Sequence, residues 1–284
     1  MSETTFLTSW KFMDYLLKMV AKSFRSKIDR NCSNEITKAE SNAPWIFVIT
    51  PTHRRITQKA DLTTLSQTLQ LVEDKNIHWV LVEDAEMISP LCERLLQRSG
   101  LPYTHLAVEG DRSIPGRGMT QRNLGMNWIR RRFFGRTDFK AVVYFADDDN
   151  TYDIRIFKHI RSVKTVGVWP VALVGGAWVE SPRVLNGRVI DWDVHATPNR
   201  LFATDMAGFA VNLKLILEKP GAEFHAKCQR GLFEQCFLFQ LGFNWRELET
   251  FAVDWGKEVK EILVWHTSTV SPKVRHGSKL GFEL

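Results

Sequence analysis

No stretch of this sequence stays apolar and uncharged for the roughly 20 residues that a membrane-spanning helix needs. The nearest, FLTSWKFMDYLLKMVAKSF at residues 6–24, is broken by Lys11, Asp14, Lys18 and Lys22. It reads as an amphipathic helix for a protein or membrane surface, and the chain as given is expected to be soluble. Cysteine is scarce, and Cys32, Cys92, Cys228 and Cys236 form no CxxC pair. That argues against a zinc site and leaves the redox compartment open. Internal repeats and low-complexity tracts are absent, and so is any signature of RNA or DNA binding. The net charge of +6 and pI near 9.2 therefore favour anionic partners such as nucleotides, not nucleic acid. Part of the excess lies in Arg130-Arg131-Arg132, expected at a solvated helix end.

What is present suits an ordinary globular protein: 284 residues, 44% hydrophobic and 25% charged, enough for one domain or two closely joined lobes. Residues 25–43 are polar and rich in Ser and Asn, a linker that carries a glycosylation sequon at Asn31. Strand-like runs then alternate with helical ones. WIFVIT (45–50), ended by Pro51, precedes a helical stretch with Leu62, Leu65, Leu69 and Val72 on one face. HWVLVED (78–84), a helix stopped by Gly100, YTHLAV (103–108), a helix at 120–133 and a strand running into Asp147 follow. This order predicts an α/β chain with a mainly parallel, doubly wound sheet.

Beyond residue 153 the pattern turns antiparallel, with strands expected at 165–173, 188–194 and 261–266 around a Gly175-Gly176 turn. A helix is expected at 231–241, and Trp169, Trp178 and Trp192 in the core in preference to serving as sugar platforms, with Trp178, beside Gly176, also readable as lining a site.

Ligands of such sheets lie beyond the carboxyl ends of the strands. Pro51-Thr52-His53, Glu83-Asp84 and Asp147-Asp148-Asp149 all fall there, in one crevice. Adjacent carboxylates repel, and a divalent cation relieves them because Mg²⁺ and Mn²⁺ prefer such ligands. Read alone, the triplet is equally a solvated acidic loop.

TPT, LVEDAE, QRN, VVYFADDDNTY, VWPVALVGG, DMAGFAV and LVWHT occur in an order and spacing that resembles the animal β1,3-glucuronyltransferases, over residues 44–270. The resemblance implies a GT-A fold: a Rossmann-like nucleotide-binding half at 44–150, then a mixed α/β acceptor-binding half at 151–284, with residues 1–43 as N-terminal segment and linker. It implies Mn²⁺, UDP-glucuronic acid as donor, a galactose-terminated acceptor, inversion at the anomeric carbon, a possible homodimer and a Golgi location.

By motif, Asp149 would bind the metal, with Asp147 and Asp148 near the ribose and donor sugar. Pro51, Thr52, His53 and Asp84 would meet the uracil side, and Arg117 and Arg122 the donor. Arg200 and Asp205 would reach the donor sugar, Glu180 the acceptor, and His266 the phosphate and carboxylate side. Glu234 would be the general base. Its surroundings agree: it is the only carboxylate in GLFEQCFLFQL, and partial desolvation raises a carboxyl pKa. Taken singly, Glu234 is also readable as a solvent-facing helix residue, Asp205 as an N-cap, and His266 as a structural histidine.

Three positions depart from the family pattern. His53 stands where a tyrosine commonly follows TPT, Ser268 where an arginine is expected near the phosphates, and Ala196 where an aromatic residue lies on the acceptor side. They leave room for a transferase using another UDP-sugar such as UDP-xylose, or for a catalytically weak glycan- or nucleotide-binding relative.

Overall fold

Four apolar runs become the parallel heart of a seven-stranded sheet: β1 (Trp45–Thr52), β2 (Ile77–Glu83), β3 (Tyr103–Ala107) and β4 (Ala141–Phe145). The computed structural model describes residues 43–136, 138–195, 200–274 and 278–283. The predicted amphipathic segment, Asn31 and Ala196 lie outside them. β2 and β4 are buried along their whole length, as strands covered on both faces must be. Three helices follow the first three strands: α1 (Gln58–Leu71), α2 (Pro90–Ser99) and α3 (Met119–Arg132). α2 begins where the Ser89 hydroxyl accepts from the Cys92 N–H, has Pro90 at its first position, and stops at left-handed Gly100. Pro51 does not end β1, which runs on to Thr52, with Pro51 opposite Val82. At the last turn of a strand, proline forfeits a single donor and keeps the extended backbone.

The second part of the chain feeds both this sheet and another. In order come β5 (Thr151–Tyr152), α4 (Ile156–Ser162), β6 (Val166–Val168), β7 (Val171–Ala172), β8 (Val179–Leu185) and β9 (Arg188–Asp193). Then follow β10 (Phe209–Asn212), α5 (Leu213–Glu218), α6 (Phe233–Gln240), β11 (Glu249–Thr250), β12 (Val253–Asp254), β13 (Val259–Lys260) and β14 (Val264–Trp265). The large sheet has the order β11-β6-β10-β4-β1-β2-β3, with β10 antiparallel to both β4 and β6. Strands from both sides of residue 150 thus share one sheet and one core, in which Val142 and Tyr144 join Ala207, Ala210, Leu263 and Val264.

A five-stranded sheet, β5-β14-β7-β8-β9, lies beside the site residues of the second part. The strand expected at 165–173 is split at Trp169-Pro170: β6 stays in the large sheet and β7 enters the other. Proline, with no N–H for the ladder, marks the crossing. The last expected strand shortens to β14.

Two further expectations are corrected. Trp169 and Trp192 are core residues, but Trp178 is 85% exposed, at the end of the β7–β8 turn where nothing among the described residues covers it. Arg130 is not a solvated helix end. Its guanidinium donates to the carbonyls of Ile216 and Ala222, and burial lowers its pKa to about 10. Arg131 and Arg132 are the solvated members of that run.

Candidate active site

Because β1, β2 and β4 are parallel, their carboxyl ends open on the same side. Thr52, Asp84 and the Asp147–Asp149 turn meet there. The Asp84 backbone N–H donates to Thr52 O at 2.7 Å, and Thr52 Oγ1 donates to Asp148 Oδ2 at 2.6 Å. Asp148 is buried and also meets Arg55 Nη1 at 2.8 Å. Arg55 is fixed in turn by Asp61 Oδ2 at 2.7 Å, and Asp61 accepts from Thr269 Oγ1 at 2.7 Å. Asp147 pairs with Arg122, which is buried on the first turn of α3. That approach depends on Gly118, which has φ +73°. A Cβ there would stand 2.7 Å from Arg122 Nη1 and 3.1 Å from Pro51.

Asp149 differs from its two neighbours. Its carboxylate has no hydrogen-bond or ion-pair partner from another described residue, although Thr267 Oγ1 holds its carbonyl at 2.6 Å. Burial, then the charges of Asp148 and Asp147, push its pKa up. An unneutralised carboxylate beside two others fits a divalent cation, which takes oxygen ligands and removes that repulsion. A different cluster, Glu83, Cys92 and His105, has its potential ligand atoms within 4.8 Å of one another. It fits less well. His105 is already bonded to Glu83 at 2.7 Å and Glu93 at 2.9 Å, and burial pushes the Cys92 thiol up to about 12.

The opposite wall comes from the second part of the chain. Asp205 caps the turn Met206–Gly208 by accepting from Ala207 N at 2.9 Å, so the N-cap reading holds. Its other oxygen lies 3.4 Å from His266 Nδ1, an ion-pair distance longer than a good hydrogen bond. Asp205 raises His266 to about 9, and against the cost of burial His266 keeps Asp205 below the usual carboxylate range.

Glu234 occupies the first turn of α6. One turn on, Phe237 stacks on Phe224 at 4.9 Å and meets the edge of Phe145, the last residue of β4, at 5.9 Å. This aromatic knot ties the helix to the strand that ends in the aspartates. Gly116 lets the 110–118 loop press on the same helix, since a Cβ there would be 2.8 Å from Phe233. Burial, then the charge of Asp205, pushes Glu234 up to about 7, while Arg200 and Arg122 draw it back.

Arg200 and Glu180 form a buried pair at 3.2 Å that leaves Glu180 Oε1 without a hydrogen bond. Arg200 also approaches Gly231 O at 3.5 Å, three residues before Glu234.

Most of the sequence-derived residues therefore converge. Asp84 is partly engaged, its Oδ1 accepting from Gly110 N at 2.7 Å. His53 and Arg117 are exposed; Arg117 contributes its carbonyl, which accepts from Arg122 at 3.2 Å. Ser268 is exposed between Thr267, which donates to the Asp149 carbonyl, and Thr269, which donates to Asp61. Sequence reasoning missed Arg55, Asp61, Thr267 and Thr269. A cation three residues beyond Thr52, before a helix with an acid in its first turn, was the available signal for the first two. It also missed the Cys228–Cys236 disulfide, whose cysteines lie eight residues apart on either side of Glu234.

The sequence pattern of glycosyltransferase family 43 matches residues 65–270. Galactosylgalactosylxylosylprotein 3-beta-glucuronosyltransferase 1 of Homo sapiens is 45% identical over 251 residues, covering 84% of this chain and 73% of that protein. The enzyme numbered 3 of Cricetulus griseus is 46% identical over 255 residues, covering 84% and 74%. Among solved structures, S. aureus TarS 1–349 superposes with a TM-score of 0.51 at 16% identity, over 78% of this chain and 60% of that one. Its complex with UDP-GlcNAc gives 0.51 at 15% identity, over 82% and 60%. At such identity the likeness concerns the fold alone, the GT-A glycosyltransferase fold.

Proposed function

The chain belongs to glycosyltransferase family 43, and from that premise we propose that it transfers glucuronic acid from UDP-glucuronic acid to the 3-hydroxyl of a terminal β-galactose. The galactose would end a proteoglycan linkage region or a related glycan, in keeping with the names of its relatives. The observation that carries the reading is Glu234. It is a carboxylate held near pKa 7 by burial and by Asp205, tied to the same strand end as Asp147–Asp149.

Inversion in one displacement needs a base opposite the leaving group. A group of pKa near the working pH serves best, because it is ionised yet basic enough to take a hydroxyl proton. Glu234 takes that proton from the acceptor's 3-hydroxyl as the oxygen attacks the anomeric carbon. Glu180, with a free oxygen, and Arg200 orient the acceptor and the donor sugar. Asp205 and His266 face the donor's carboxylate and phosphate side, where protonated His266 offsets negative charge. Thr52, Arg55 and Arg122 settle Asp148 and Asp147, leaving Asp149 as the ligand for Mn²⁺. When bound, the ion stabilises the departing diphosphate in place of a protein acid. Asp84 and His53 are assigned to the uracil side.

The Cys228–Cys236 bridge favours an oxidising compartment, which supports the Golgi lumen. Among the described residues no helix is long and apolar enough to cross a membrane.

The test is a panel of UDP-sugars and β-galactosides with and without Mn²⁺. Transfer confined to UDP-glucuronic acid, lost in chelator and in Asp149→Ala with the fold intact, is expected. Transfer from UDP-xylose, or UDP binding indifferent to Mn²⁺, would overturn the assignment.

A further inference from the structure

Tryptophan is large and largely apolar, and a nearly free one on a folded surface calls for an account. Trp178 is 85% exposed. It stands where the β7–β8 hairpin resumes pairing after the Gly175-Gly176 turn, its carbonyl accepting from Leu173 N at 2.8 Å. Leu173, directly across the hairpin, has φ +60° and is half exposed. A left-handed leucine is sterically disfavoured, and such conformations persist where the surrounding structure imposes them, often at ligand sites. Trp178 lies two residues before Glu180, with the Ala172–Val179 pair between them in the register, so the alternation of a strand turns both side chains to the same face of the hairpin.

Glu180 is buried, with one oxygen on Arg200 and the other, Oε1, unpartnered. A buried carboxylate oxygen without a hydrogen bond is costly unless a ligand supplies the donor. Arg200 leads on to Gly231 and so to the turn that carries Glu234. The hairpin therefore runs from the catalytic wall to an aromatic face in open solvent, with an unfilled acceptor for a hydroxyl between them.

We propose that Trp178 is the platform of the acceptor subsite. The pyranose ring of the acceptor galactoside lies with its apolar C–H face on the indole, while a ring hydroxyl donates to Glu180 Oε1. Pyranoses carry one face of aligned C–H bonds and hydroxyls on their rim, the pattern that an aromatic ring beside a carboxylate recognises. Neighbouring Leu173, half exposed, widens the apolar strip. The inference rests on the glucuronosyltransfer reading and deepens it: it assigns a residue that selects the acceptor, with no part in binding the donor.

The test is the kinetics of Trp178→Ala and Trp178→Phe with a β-galactoside acceptor, alongside calorimetry of UDP with Mn²⁺. Trp178→Ala should raise the acceptor KM about ten-fold or more, as expected for loss of one stacked aromatic face. Trp178→Phe should recover most of that loss, and UDP affinity should not change. Because the side chain is exposed, the melting temperature should hold, which separates this outcome from misfolding. If the wild-type protein transfers to galactosides but Trp178→Ala leaves the acceptor KM unchanged, the platform is wrong and the transferase reading stands. If no galactoside is a substrate for the wild-type protein, both fall. An unchanged KM with a shift from dimer to monomer in sedimentation would show that Trp178 instead meets a second copy of the chain.

Discussion

At the scale of single residues, Glu234 shows how a site can work against the stability of its own fold. Its pKa, about 7 against an ordinary 4.5, means that the folded protein holds a proton that the unfolded chain releases from about pH 4.5 upward. Stability is thus fully present below pH 4.5, falls as pH rises to about 7, and stays lost above. Removing the charge should return up to about 3 kcal/mol at pH 8. We therefore predict that Glu234→Gln melts at a higher temperature than the parent at pH 8, while transfer falls by roughly 10²–10⁴-fold. In the parent, kcat/KM should climb with pH through a limb near 7. A variant that keeps transfer within a few-fold, or melts lower at pH 8, would show that Glu234 is a surface helix residue and not the base. The Asp147–Asp149 run was conspicuous in the sequence as like charge after a strand, whereas Glu180, Asp205 and Glu234 were assigned only through the family resemblance. Arg55 and Thr269 were missed, since a lone arginine or threonine in a loop carries no local mark, and only the fold brings Asp61 between them.

Among the elements, α6 has the most to lose. It is a short helix of 8 residues, below the length at which helices persist unaided, so it depends on what holds it. Phe233 and Phe237 bury one side, and the Cys228–Cys236 disulfide clamps the incoming loop to the end of its first turn. With a sequence separation of 8, closing that loop contributes about 2–3 kcal/mol by chain entropy. Reduction, or the double change Cys228→Ser with Cys236→Ser, should lower the melting temperature by several degrees. It should also reduce kcat several-fold, because α6 carries Glu234, while UDP affinity holds on the other wall. Equal kcat in oxidised and reduced protein would show that the aromatic contacts alone fix the base. The helix itself was readable from its pattern. The bridge was not, because cysteine pairing depends on where the 219–232 loop returns, which no local spacing states.

Over the whole molecule, the order of the first strands and helices followed from alternation of apolar runs and breakers, and so did the crevice at their carboxyl ends. The mixing of the two parts did not. β6, β10 and β11 are only 2–4 residues long, and in so short a run a strand bound for one sheet looks like a strand bound for another. Their destination is nonetheless decisive. β10 covers the edge of β4 that faces away from β1, so a fragment ending near residue 150 would leave a five-residue, wholly apolar strand with that edge unpaired. Residues 44–150 expressed alone should aggregate; a soluble fragment with dispersed amide resonances and intact UDP binding would contradict that. The crossing of β10 into the large sheet therefore limits how such a protein can be altered. The segments before and after residue 150 cannot be swapped with those of another transferase like cassettes. Alterations must instead be made by replacing side chains on the existing strands and loops, one position at a time, within an indivisible scaffold.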